Sequence, residues 1–510
     1  MTAFFSGLTT LFVFVIGLAA LSLVVLFVID RYQTTDTVRR NYPVIGRLRY
    51  VFTELGEFFR QYFFAMDREE MPFNRAQRDW VNEASRNQST NVAFGSTRNL
   101  DPVGTPIFVN CPWPTLEEDA VKAPAMMIGE GAARVPYEAP SIFNISGMSY
   151  GALSTPAVRA LSNGAAKAGC WMNTGEGGLS PYHLEGGCDI VFQIGTAKYG
   201  VRDEEGNLSD DKLRELAAHE QVRMFELKLS QGAKPGKGGI LPAAKVNEEI
   251  AAIRGIPVGE ASISPNRHTD IGSIGELLDM IARIREVTGK PVGFKTVVGA
   301  YGWLQELFAE IQKRGAGSAP DFITVDSGDG GTGAAPMPLI DNVGLTLRES
   351  LPMMVDLRDE AGLKDRIRIV ASGKLVTPSE VAWALCAGAD FVISARGFMF
   401  ALGCIQAMKC NKNTCPTGIT THDPALQRGL DPTNKAVRVQ NFVEQMRKEV
   451  GVIAHSCGVP EPRRLKRYHV RLVCPDGRSR PLDELYPTEG AEGDTVADSP
   501  TSEDRLTPLQ

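Results

Sequence analysis

Cysteine is not in excess: nine in 510 residues is ordinary usage. A chain of this size with no more than that is not a small disulfide-stapled secreted scaffold. Nor is there an excess of basic charge. Fifty-four Lys and Arg stand against 60 Asp and Glu, a net charge of −6, which gives no electrostatic footprint for nucleic acid. A third lack is local: Met1 to Ile29 contains no charged side chain. What is present is a 43% apolar and 22% charged composition with 51 glycines. That is a globular protein with a substantial core, and many places where backbone can approach a ligand closely.

The uncharged start, FVFVIGLAALSLVVLFVI at its centre, is long enough to cross a bilayer. A signal peptide is the alternative, but no basic n-region precedes the apolar run and no A-x-A site follows it. Arg31, Arg39, Arg40, Arg47 and Arg49 come after it, and the positive-inside rule then leaves the body of the protein in the cytoplasm. The expectation is a single-pass anchor over residues 1–30. Between Pro43 and Phe64, apolar residues recur at Leu48, Val51, Phe52, Leu55, Phe58, Phe59, Tyr62 and Phe63. The spacing fits an amphipathic helix, lying on the membrane surface or packed on the main domain. Asp67 to Pro136 reads as an irregular extension wrapping that domain, so that 31–135 forms one N-terminal extension.

From Ser141 onward strand-like segments alternate with helical ones. The strands expected are 141–147, 170–175, 224–230, 259–265, 292–298, 321–328, 367–373 and 390–397, with helices such as Ile274–Val287, Leu304–Arg314 and Ser379–Ala387 between them. Eight such units predict an α/β fold of the (β/α)8 TIM-barrel type over 136–430. A doubly wound sheet is the alternative, but no G-x-G-x-x-G follows the first strand. Residues 431–486 hold a further helix and a possible hairpin, and 487–510 is a polar, acidic tail of disordered composition.

In a barrel, catalytic groups sit on loops after the strands. Here those loops are rich in small residues: Gly147-Met148-Ser149, Thr174-Gly175-Glu176-Gly177-Gly178, Gln231-Gly232-Ala233-Lys234, Gly328-Asp329-Gly330-Gly331, Ser372-Gly373-Lys374 and Ser394-Ala395-Arg396-Gly397. Each alone could be a turn. Together on one rim they fit a large phosphorylated cofactor such as FMN. Beyond the last strand, Cys404, Cys410 and Cys415 are followed by Pro416, a local run of the kind that ligates iron–sulfur clusters. Zinc is the competing metal, but its structural sites take four ligands, and no fourth Cys or His lies inside the run.

The motifs MSYGALS, NTGEGG, SQGAKPGKGG, GFKTV, SGDGGTGAAP and C-x5-C-x4-C-P, in that order, resemble the FMN-binding, iron–sulfur synthase domain of glutamate synthases from about Ser141 to His422. The resemblance implies FMN at Gly147, Met148, Ser149, Gln231, Lys295, Gly330 and Gly331, with its phosphate over Gly373, Lys374, Ser394, Ala395 and Arg396. It implies a 3Fe–4S cluster on Cys404, Cys410 and Cys415. It places 2-oxoglutarate on Gln231, Lys234 and Arg254, with Glu176 and Lys295 as catalytic residues. Lys295 would stabilise negative charge on the reduced flavin, and Arg254 would hold a carboxylate by its planar fork.

Two departures stand out. The family's P-P-H-H-D run is replaced by Pro265-Asn266-Arg267-His268-Thr269-Asp270, and the strand-eight turn is Ser394-Ala395-Arg396. The glutaminase part of full glutamate synthases is expected to be missing. The activity implied is reductive amination of 2-oxoglutarate, or a related 2-oxo acid, with ammonia or an amine, electrons coming from a ferredoxin or a reductase subunit. The alternatives are an amino-acid or N-alkyl-glutamate oxidoreductase feeding membrane electron carriers, and a non-catalytic electron-transfer subunit.

Overall fold

A computed structural model describes residues 2–487 of the chain. The acidic tail expected from Pro487 onward lies, after that first residue, outside the described residues. The chain divides into two compact units, residues 1–76 and 77–510.

The first unit opens with helix α1 (Thr2–Tyr32). Over Phe4–Tyr32 it is long and apolar enough to cross a membrane, with a mean hydropathy of 3.1 in its most apolar stretch. A signal sequence passes the same test. Helix α2 (Ile45–Phe59) follows and runs into a π-helical turn, Arg60–Phe64, matching the helix expected between Pro43 and Phe64.

The second unit is built on a closed barrel of eight parallel strands. They are β1 (Phe143–Ile145), β2 (Met172–Asn173), β3 (Ile190–Ile194), β4 (Val222–Lys228), β5 (Val292–Val297), β6 (Phe322–Asp326), β7 (Arg368–Ser372) and β8 (Phe391–Ser394). β8 pairs with β1 through Val392–Phe143 and its neighbours, and so closes the ring. The strands are buried almost throughout, as a parallel sheet covered on both faces requires.

The count of eight agrees with expectation, but one member differs. Ile190–Ile194 is a barrel strand that the pattern did not reveal. The stretch 259–265 contributes only Ser262–Ile263, paired antiparallel with Ile240–Leu241 in a small arm outside the barrel. The alternation in GEASISP reflects that arm, in which Ser262 is buried and Ile263 exposed.

The helices follow local signals. Helix α3 (Thr155–Ala168) is capped by the Ser154 side chain, carries Pro in its first turn and ends at Gly169 with φ 61°, a sequence-legible start and stop. The expected helices appear as α4 (Ile274–Thr288), α5 (Gly302–Arg314) and α6 (Pro378–Cys386). After β8 comes the short helix α7 (Arg396–Leu402), and later α8 (Pro432–Ser456), which packs along α3. The approach is close: a Cβ on Gly164 would lie 2.5 Å from Val439 Cβ, so a larger residue there would push the helices apart.

The N-terminal end of the barrel is closed by an antiparallel pair, Met126–Ile128 with Tyr137–Ala139. Ile128, Tyr137 and Ala139 pack with Trp171, Val191, Met224, Phe322, Val370, Phe391 and Ile393 in one buried apolar cluster. Further out, Pro106–Phe108 pairs antiparallel with Val470–Val473, which in turn pairs with Ser479–Pro481. The expected C-terminal hairpin is therefore present, and it takes a strand of the N-terminal extension as its third member.

Candidate active site

The C-terminal ends of the strands open into a cleft of about 160 Å³. Gly147, Met148 and Ser149 from the loop after β1, Glu176 after β2, Gln231 and Lys234 after β4, Arg254, Gly331 and Arg396 all line it. A smaller recess adjoins it, lined by Lys295, Gly373, Lys374, Ser394, Ala395 and Arg396. Gly147, Gln193, Lys228, Gln231, Gly331, Ala395 and Arg396 border both, so the two form one continuous depression.

On the first side charges are tightly interlocked. Lys228 Nζ lies 3.1 Å from Glu176 Oε1 and donates to Gln231 Oε1 at 2.8 Å. Gln231 Nε2 donates to the Gly331 carbonyl at 3.2 Å. Burial pushes the Glu176 carboxyl upward, but Lys228, Lys234 and Arg254 outweigh it and hold the group below its usual range. Lys234 moves the other way: burial, reinforced by Lys228, pulls its ammonium down to about 8, with Glu176 opposing. Arg254 reaches Ser262 Oγ at 3.1 Å and the Tyr150 carbonyl at 3.3 Å, and its guanidinium lies 5.2 Å from the Tyr199 ring centre. Its Nε is buried without a partner, a donor left for a ligand to satisfy.

On the recess side, Lys295 Nζ lies 3.2 Å from Asp326 Oδ2, which also accepts the Gly232 N–H at 3.0 Å. Lys374, in the left-handed region at φ 55°, pairs with Asp329 at 3.0 Å. Gly373 sits at φ 122°, and a Cβ there would come 2.3 Å from Ser327 Cβ. Only glycine fits this turn. Beneath the floor, the buried Glu226 carboxylate accepts from Asn173 Nδ2, Gln193 Nε2 and Thr324 Oγ1 at 2.9, 2.6 and 2.7 Å. That network ties four strands, β2, β3, β4 and β6, together under the site.

Cys404, Cys410 and Cys415 occupy one loop between α7 and Gly418. Cys410 borders the cleft, with Arg396 Nη1 3.9 Å from its sulfur. The Gln406 N–H lies 3.4 Å from the Cys404 sulfur, and Cys415 is 3.3 Å from Thr417 Oγ1. Gln406, Met408 and Asn413 all take left-handed backbone conformations, a concentration of strain of the kind found where a ligand is held. Among the described residues, no group of three or more His, Cys, Asp or Glu side chains is drawn together as a metal site.

Of the site residues expected from sequence, Gly330 alone of the rim set stands back. It is buried against Gly232 and Ser327, and Gly331 takes the cleft wall. Arg267 and Thr269, which departed from the family pattern, are exposed. Arg267 bonds locally to the His268 and Ile271 carbonyls and does not border the cleft. His268 is buried instead, its Nε2 3.1 Å from the Lys228 carbonyl oxygen.

Sequence reasoning missed Lys228 and Gln193. Lys228 lies in MFELKLS, a charged residue two positions after Glu226 in a strand buried almost throughout, and that was a usable signal. Gln193 lies in the strand that went unrecognised.

The model of the conserved region in glutamate synthase matches residues 107–460. The chain is similar to the glutamate synthase large subunit-like protein YerD of Bacillus subtilis (strain 168), at 39% identity over 516 residues, covering 93% of this chain and 98% of that one. It is 34% identical over 330 residues to the archaeal glutamate synthase (NADPH) of Methanocaldococcus jannaschii, covering 64% of this chain and 61% of the relative. A glutamate synthase large subunit-like protein of Rhizobium meliloti (strain 1021) is 30% identical over 352 residues, 66% of this chain and 75% of that one. With more than half its length matched by the family model, and a 39% identical relative matched over nearly all of both chains, the chain belongs to the glutamate synthase family of oxidoreductases.

Proposed function

We propose that this oxidoreductase depends on FMN and an iron–sulfur cluster and reductively aminates 2-oxoglutarate, or a related 2-oxo acid, to glutamate or its analogue. The observation that carries the reading is the two-sided depression at the barrel rim. One side presents Lys234 and Arg254 to an acid, and the other presents Lys295, Lys374 and the turns at Gly373 and Ser394–Arg396 to a phosphate-bearing group.

The residues fit a flavin nucleotide. Gly147 and Gly331 leave open the border between the two sides. A Cβ on Gly331 would stand 2.9 Å from Arg396 Nε, and one on Gly147 would stand 3.0 Å from Asn173 Oδ1 and Gln193 Nε2. FMN bound there supplies hydride transfer to or from the carbon that bears nitrogen.

The chain's own residues do the rest. Lys234 and Arg254 bind and orient the acid's carboxylates. Glu176, held ionised by three cations, accepts a hydrogen bond from the incoming nitrogen. Lys295 offsets negative charge at the flavin end. The three-cysteine loop beside Arg396 would hold the cluster through Cys404, Cys410 and Cys415 and receive electrons from a ferredoxin or reductase subunit. The N-terminal helix would hold the enzyme at a membrane with its catalytic unit in the cytoplasm.

The test is anaerobic purification in detergent, an optical spectrum, and assay of glutamate from 2-oxoglutarate and ammonia with a chemical reductant. Flavin and iron–sulfur bands together with product support the proposal. Absence of product from fully loaded protein overturns the substrate assignment. The apolar helix α1 favours one second reading: an amino-acid or N-alkyl-glutamate oxidoreductase that feeds membrane electron carriers. Anaerobic bleaching of the flavin by glutamate or its N-methyl derivative would select it.

A further inference from the structure

The first unit lies outside the residues that the family model matches and contains an arrangement that the barrel chemistry does not use. Asp30, at the end of the apolar run of α1, is completely buried. Its carboxylate accepts from Arg39 Nε and Nη2 at 3.0 and 2.6 Å, from Arg47 Nε and Nη2 at 2.8 and 2.7 Å, and from the Val44 N–H at 3.0 Å. Val44 holds φ 67° to make that bond, a conformation costly for a β-branched residue. Two guanidiniums and a strained backbone N–H thus converge on one carboxylate, and they fix the first turn of α2 to the last turns of α1.

That lock sets a depth. If α1 spans a bilayer, Asp30 marks where hydrocarbon ends, and Arg47, bonded to it directly, puts the start of α2 at the same level. Along α2, Leu48, Val51, Phe52, Leu55 and Phe59 recur at helical spacing, and all stay between 38% and 66% exposed. The π-helical turn continues the face with Tyr62 and Phe63, whose rings pack on Phe58 and Phe59. The opposite side shows Arg49, Thr53 and Glu54 to solvent. Arg31 and Arg40 are exposed next to the lock. An apolar, aromatic-rich stripe flanked by exposed arginines at this level is complementary to the headgroup–acyl boundary of an anionic lipid leaflet.

We propose that residues 45–64 lie in that boundary as an interfacial foot, held to the end of the span by the Asp30 clamp. The proposal rests on reading α1 as a membrane span, and its test separates the two. The full chain is placed in nanodiscs containing phosphatidylglycerol and lipids brominated along the acyl chain. Quenching is compared for Phe52→Trp, Phe59→Trp, Thr53→Trp and Val15→Trp against the five native tryptophans.

Strong quenching at positions 15, 52 and 59 with little at 53 is the expected result. Asp30→Asn should then reduce quenching at 52 and 59 severalfold and leave 15 unchanged. Quenching at 15 with 52 and 59 no different from 53 overturns the foot and keeps the span. Protection of 52 and 59 from both brominated lipid and aqueous acrylamide shows that protein, either a second copy or the catalytic unit, covers the face, and overturns it as well. No quenching at 15 removes the span, and the foot with it.

Discussion

The two ends of the barrel make opposite use of the same eight strands. At the N-terminal end the strands meet in an apolar cluster sealed by the 126–128 and 137–139 pair. At the C-terminal end they support Lys228, Lys234, Arg254, Glu176, Lys295 and Asp326, charges held in proximity around an open depression. Burying charge costs stability even when it is paired, whereas burying aromatic surface gains it. The barrel therefore draws its stability from one end and gathers its buried charges at the other.

The comparison can be broken most forcefully at the apolar end. Phe391→Ala, at a fully buried site against Trp171, should cost about 3–5 kcal/mol, seen as a large fall in the denaturation midpoint. Flavin bound per folded molecule should stay the same. Loss of flavin without loss of stability would mean that the two ends are not separable in this way.

At the charged end the reverse is expected. Lys295→Met and Glu176→Gln should each lower turnover by about 10²-fold or more and leave thermal unfolding nearly unchanged. Arg254→Gln should act mainly on KM for the oxo acid, because it removes binding without touching the flavin side. A shift in kcat alone would place Arg254 elsewhere in the cycle.

Serine at Cys404, Cys410 and Cys415 should abolish bound iron, measured by metal analysis and the visible spectrum. Cys111→Ser, at a free cysteine outside the three-cysteine loop, should retain it. Iron retained in the triple variant would remove the cluster from this loop.

The smallest effect is a pH dependence. Burial, chiefly, lowers Lys234 to about 8, so it is charged below that pH and loses its proton above it. Affinity for a dicarboxylate should weaken as pH rises through about 8. The same shift has a stability consequence of definite sign. Between about 8 and the ordinary lysine value the unfolded chain binds the proton more tightly than the native one, so this lysine destabilises less as pH rises. Lys234→Met should flatten the KM profile in that window.

Much of this comparison could be read from the chain before its structure, but unevenly. Glycine-rich turns after strands announce themselves because a left-handed or crowded backbone position admits little else, as at Gly373. Capped helices such as α3 carry their own start and stop. β3 did not stand out, because IVFQI is short, fully buried and lacks alternation, so its pattern is that of any apolar run. The arm at 259–265 misled for the opposite reason, having alternation without barrel pairing. Gln193 was hidden because interior positions of a barrel strand carry no periodic mark that separates a core residue from a floor residue, whereas Lys228, a charge at a strand end, left a mark that went unread. Arg267 and Thr269 could be named as departures from the family, but only packing shows that they stay exposed while His268 between them turns inward.

The pairing of Pro106 with Leu472 and Phe108 with Val470 bears on how the molecule is made. These partners lie more than 360 residues apart in the sequence, so a ribosome has synthesised nearly the whole protein before the small sheet can close. Until then the N-terminal strand waits with its backbone hydrogen bonds unmet, beside a barrel that is still gaining its last strands. Assembly of this enzyme is therefore a late event in translation, and a nascent chain arrested before Val470 would carry every residue of the proposed active site without the seam that joins its two extensions.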